Sequence, residues 1–142
     1  SARASRHPVD AMKPKTLLTV TSLLAILLSM VHLAHDIALG ISPGKLTNLT
    51  PVVFWVAWLC GTLLLAERRS GQIVVLVASF VAAGVSVVHM TGSKGITAGL
   101  PADAGGFVFA WTILALGVTA TTSLFLAALG LWRARRGQPD AG

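Results

Sequence analysis

Long apolar runs alternate with short polar breaks along this chain. Four runs stand out, at roughly 16–39, 49–66, 72–91 and 106–132. Each is unbroken and rich in Leu, Val and Ala, with none of the strict alternation of a half-buried strand. A helix needs about 17–25 apolar residues to cross the hydrocarbon core of a bilayer, and these runs fit that length. A helix also satisfies its own backbone hydrogen bonds, which an open strand in lipid does not. The pattern therefore predicts an all-α integral membrane protein, a four-helix transmembrane bundle forming one domain over 12–142.

The breaks fit the runs. Segment 40–45 (Gly-Ile-Ser-Pro-Gly-Lys) is a cluster of helix breakers, and so is the Gly-rich stretch 92–105 with Pro101 and Asp103. Segment 67–71 is short, which makes the second and third helices antiparallel neighbours. Pro51 falls in the first turn of the second run, where its missing N–H costs nothing. Residues 1–11 differ in character from the rest of the chain. They read as an appended leader, His7 included, with a native start at Met12. The first run is too long for a signal-peptide core and lacks a small-x-small cleavage site.

Composition agrees: 54% of the residues are hydrophobic and only 11% charged, against about 25% charged in a soluble domain. The net charge of +6 is not a nucleic-acid patch, because the basic residues sit between and after the apolar runs. Lys13, Lys15, Arg68, Arg69, Arg133, Arg135 and Arg136 fall on one side, and Lys45 and Lys94 on the other. By the positive-inside bias both termini are expected in the cytoplasm, with the chain integral to the plasma (inner) membrane. Trp55 and Trp132 lie near run ends, where indoles favour the interface; Trp58 and Trp111 lie deeper and read as packing residues. Cys60 is alone, so it forms no internal disulfide.

A shift of 57 residues brings out an internal repeat. Val20, Ser22, Ala25, Ser29, Val31 and His32 fall on Val77, Ser79, Ala82, Ser86, Val88 and His89. Further on, Phe54-Trp55-Val56-Ala57-Trp58 resembles Phe107-Val108-Phe109-Ala110-Trp111. A duplicated hairpin would place both copies in the membrane in the same direction, related by a rotation about the membrane normal. The first and third helices then become equivalents. At ~1.5 Å per residue, His32 and His89 lie at the same depth, about 22–24 Å from the cytoplasmic end.

The candidate chemistry sits at that depth. Ser22, Ala25, Ser29, His32 and Asp36 step by three or four, so they share one face of the first helix; Ser79, Ala82, Ser86 and His89 do the same on the third. Small residues at this spacing let membrane helices approach closely, which aims the histidines into the bundle. Asp36 is the sole carboxylate within an apolar run, and a carboxylate there is costly unless paired. His32, His35 and His89 are its natural partners, with Lys45 and Lys94 within reach from the outer loops.

Four readings compete. His32, His35, Asp36 and His89 form a donor set suited to zinc or a similar transition-metal ion, and Met30 and Met90 beside the histidines would suit copper(I). His32 and His89 at equal depth on two helices also match bis-histidine ligation of a haem b. Intramembrane His and Asp occur in proton or ion paths, continued here by Thr119, Thr121, Thr122 and Ser123. Finally, the cluster could fix helix register alone, in a structural or accessory subunit without a ligand. The bilayer is the implied partner in every case, with a homo-oligomer or larger membrane complex beyond it. The chain carries no Ser/His/Asp set, no CxxC, no paired carboxylates and no phosphate loop, so nothing in it argues for an enzyme.

Overall fold

The computed structural model describes residues 13–40, 49–91 and 104–137. They form four helices and no strand: α1 (Pro14–Ala38), α2 (Leu49–Leu63), α3 (Arg69–Thr91) and α4 (Ala104–Arg135). Pro14 opens α1, where its fixed φ suits the first turn. Gly40 closes it with φ +70°, its N–H bonding the Ile37 carbonyl at 3.1 Å. A left-handed residue just past a helix end is the position where glycine carries no Cβ penalty. Lys45, Lys94 and Asp103 lie outside the described residues.

Cross-helix contacts set an up-down-up-down arrangement. Ser22 on α1 meets Thr62 on α2, with their hydroxyl oxygens 2.8 Å apart. Ser123 on α4 donates to the Thr21 hydroxyl at 2.9 Å. Gly117 of α4 faces Ser86 of α3, while Gly130 faces Gln72, so those two helices run antiparallel. α4 presents one stripe inward, Phe109, Ile113, Leu116, Ala120, Ser123 and Ala127, all buried. Its outer side is equally apolar, with Phe107, Trp111, Val118 and Phe125 each more than half exposed.

That outward apolar surface is the membrane argument in physical form. α1, α3 and α4 are long and apolar enough to span a bilayer, yet at most 28% of their most apolar windows is buried within the bundle. Leaving that area in water would cost about 25 cal/mol per Å²; in lipid it costs nothing. α2 is the exception. Its apolar run continues to 66 but the helix ends at Leu63, and its 15 residues rise only ~22 Å against a core of ~30 Å.

The reason lies in the α2–α3 turn. Leu64 and Leu65 N–H groups both bond the Cys60 carbonyl, and Arg68 N–H bonds that of Leu65, so the chain folds back early. α3 correspondingly starts three residues sooner than expected and takes in Gly71. A Cβ on Gly71 would overlap the Leu65 backbone carbonyl, and one on Gly61 would come within 2.6 Å of Val74 Cγ1. Gly71 is therefore a close-approach residue and not a helix breaker. Gly71→Ala is expected to lower stability by about 1–3 kcal/mol, since backbone cannot move aside cheaply. Gly84, also in α3, has nothing within 4 Å of its missing Cβ. Gly84→Ala should be neutral or stabilising by up to about 1 kcal/mol. Thermal unfolding of both variants in one detergent checks the contrast; equal melting temperatures would refute the packing account.

The tryptophans redistribute two expectations. Trp132 is in the last turn of α4, 48% exposed, with the Arg136 guanidinium 3.9 Å over its ring. Trp58 is fully buried as a packing residue. Trp55, expected at the interface, is buried, and Trp111, expected to pack, is 58% exposed. α4 is apolar all round, so sequence periodicity gives no sign of which face turns inward.

Candidate metal centre

The small-residue faces of α1 and α3 both turn inward: Ser22, Ala25 and His32 on one, Ser79, Ala82 and Ser86 on the other, are all buried. Above these stripes, the upper ends of the two helices bring their histidines into contact. The His32 and His89 rings meet edge to face with centroids 4.6 Å apart. Phe109 of α4, fully buried, packs against both, 5.3 Å from His32 and 6.2 Å from His89.

Asp36, one turn above His32, reaches the same point. Its Oδ2 lies 3.6 Å from His32 Nε2 and 3.4 Å from His89 Nε2. The three residues each offer one donor atom, all within 4.8 Å of one another. Charge-assisted N–H···O bonds are shorter, about 2.7–2.9 Å. Donors about 2.0–2.2 Å from a shared tetrahedral zinc stand about 3.3–3.6 Å apart. The carboxylate is thus at the spacing of two ligands of one ion.

Hydrogen bonding around the cluster points the same way. His89 Nδ1 lies 2.9 Å from the Val85 carbonyl oxygen. A carbonyl only accepts, so the proton belongs on Nδ1, and a neutral His89 keeps a lone pair on Nε2. That lone pair lies beside a carboxylate oxygen, itself an acceptor. Two acceptors at 3.4 Å need a proton or a metal cation between them. A backbone carbonyl holding the far nitrogen is also the usual support of a metal-bound imidazole. Meanwhile Asp36 Oδ1 and both His32 nitrogens have no hydrogen-bond partner among the described residues although they are buried. Unmet buried polar groups of this kind cost about 1–3 kcal/mol each.

None of the other residues singled out from the sequence joins the three converging donors. His35 is not among the three converging donors; one residue before Asp36, it is turned about 100° round α1 from it. Met30 and Met90 are 46% and 38% exposed on the outer surface, which removes the thioether argument for copper(I). Thr119 and Thr122 donate to the carbonyls of Ala115 and Val118 on their own helix, both at 2.8 Å. Thr121 is exposed. Of that group Ser123 alone reaches across the bundle, so these hydroxyls form no file toward the histidines.

A cleft of about 360 Å³ opens beside the cluster. α1 contributes Ser29, His32, Leu33 and Asp36; α2 contributes Thr50, Pro51, Phe54 and Trp55; α3 and α4 complete it, with Leu116 among its lining residues. Sequence reasoning missed both this cleft and the place of Phe109 beside the histidines. No protein-family model, curated protein or solved structure matches this chain.

Proposed function

We propose that this chain is a small polytopic membrane protein that binds one transition-metal ion of the zinc class through His32, Asp36 and His89. The observation that carries the proposal is one carboxylate oxygen with two imidazole nitrogens at ligand spacing from it, 3.4 and 3.6 Å, the three donors all within 4.8 Å of one another. Two imidazoles and a carboxylate are a borderline nitrogen and oxygen set, matched to zinc and its neighbours and not to magnesium or calcium. Three protein ligands also leave a fourth position open, as in catalytic zinc sites. His35 is outside the ligand set.

The ring contact supports an ion over a haem. A porphyrin ligated from both faces needs its imidazoles on opposite sides of a plane, whereas His32 and His89 touch edge to face. The matching inward stripes of α1 and α3 support a duplicated hairpin as the origin of the pair. The seven-to-two basic bias supports cytoplasmic termini and a site toward the outer side of the membrane; a reporter fused after 142 that is active only outside would overturn that orientation.

Zinc titration of protein purified without a histidine tag tests the central reading. Calorimetry in detergent should show one ion bound per chain, and elemental analysis after dialysis should retain it. Absence of stoichiometric binding of zinc, cobalt, nickel or copper would refute the proposal.

A further inference from the structure

The cleft beside the cluster has a chemistry of its own. Its walls are apolar, with two aromatic side chains, Phe54 and Trp55, on α2. Val81, also lining it from α3, is 44% exposed on the apolar perimeter of the bundle, so the cleft meets the lipid-facing surface. No Lys or Arg lines it among the described residues. Its one formal charge is Asp36, the sole carboxylate in the four helices, 7% exposed and with Oδ1 unpartnered.

A buried carboxylate with a free oxygen attracts a cation. Aromatic faces attract the same charge through their quadrupoles, Trp most strongly. Apolar walls reject a hydrated ion but accept the hydrocarbon skirt of an organic one. A volume of about 360 Å³ falls in the range of small-molecule pockets, ~300–1,000 Å³. We propose that the cleft binds a lipophilic organic cation of the quaternary phosphonium or ammonium class. Its charge lies near Asp36 and its apolar groups lie against Phe54 and Trp55, with entry from the lipid side past Val81.

This goes beyond the metal reading and does not depend on it. A quaternary cation has no vacant coordination position and no proton to give, so it uses neither imidazole as a ligand. Asp36 is common to both cations, which therefore exclude one another.

Equilibrium dialysis of tetraphenylphosphonium against the full chain in detergent micelles, with protein-free micelles as blank, tests the proposal. The expected result is saturable binding of one cation per chain, displaced by zinc. Asp36→Asn should weaken binding at least about tenfold, and so should Val81→Trp, which narrows the mouth; Trp55→Ala should weaken it about three- to thirtyfold. Val81→Trp should keep the parent's helical circular dichroism and melting temperature, which shows that it remains folded. His35→Ala, outside the cleft lining, should bind the phosphonium as the parent does. Binding no greater than the micelle blank, or unchanged in Asp36→Asn, overturns the proposal. So does equal binding of the neutral analogue triphenylphosphine oxide, which would leave charge no role. Zinc bound without phosphonium sinks this inference alone; phosphonium bound without any transition metal sinks the metal reading alone.

Discussion

His89→Ala is expected to weaken zinc binding by at least about 100-fold, a loss of about 2.7 kcal/mol, while leaving the helical content of the protein unchanged. The size of the effect follows from the donor count. Three side chains converge, so removing one leaves a two-point site on a single helix, His32 and Asp36, which water must complete. It also follows from preorganisation. His89 is held by the Val85 carbonyl at 2.9 Å with its Nε2 toward the carboxylate, so its lone pair is in place before the ion arrives. Even outer supports of metal ligands are worth about 10–100-fold in affinity, and a ligand itself should exceed that. Folding should survive because His89 is at the end of α3, with its side chain 22% exposed, and its loss opens no sealed cavity. His35→Ala is the matched control. It removes a histidine from the same turn as Asp36 but not from the converging set, and should bind zinc like the parent. Calorimetry on both variants decides: parent-like affinity in His89→Ala, or a large loss in His35→Ala, would mean that the donors have been misassigned.

Much of this was legible in the residues, because a bilayer makes demands that sequence can only meet in a few ways. Continuous apolar runs specified four helices. The three- and four-residue steps of Ser22, Ala25, Ser29 and His32, repeated in Ser79, Ala82, Ser86 and His89, specified the inward faces of α1 and α3, and the structure turns them inward. What stayed hidden depends on contacts between helices. α2 stops at Leu63, and beyond it Gly71 packs close to the Leu65 carbonyl across the turn, a relation that hydropathy does not record. Phe109 sits under the imidazoles, yet α4 carries Phe107 and Trp111 on its outer side with the same composition. His35 looked equivalent to His32 by chemistry, and it is only three residues away round α1, yet it offers no donor to the converging set. The cleft is lined from all four helices, and relative helix spacing leaves no mark on hydropathy.

Replacing the whole cluster by leucine, His32→Leu with Asp36→Leu and His89→Leu, should leave metal-free stability equal to the parent's or raise it. It should also abolish every stabilisation by zinc. The two halves of this result separate a site from a structural fastening. In the parent, Asp36 Oδ1 and both His32 nitrogens are buried without hydrogen bonds among the described residues, and the 3.4 and 3.6 Å contacts to Asp36 Oδ2 are too long for good ones. On insertion scales a carboxylate costs about 2.5–3.5 kcal/mol mid-membrane, whereas leucine is favourable by a few tenths. Toward a helix end the penalty is smaller, but its sign holds. Leucine is close to histidine in volume, and the larger side chain at Asp36 has the adjoining cleft to fill. Polar groups replaced together by apolar ones of similar shape are generally neutral or stabilising, since no partner is left stranded. With zinc at about 100 times its dissociation constant the order reverses, because the parent gains about 2.7 kcal/mol and the variant gains nothing. Thermal unfolding in detergent, with and without zinc, reads both states. If the leucine variant instead melts well below the metal-free parent, the three polar residues hold the helices together on their own account, and the ion is not what they are for.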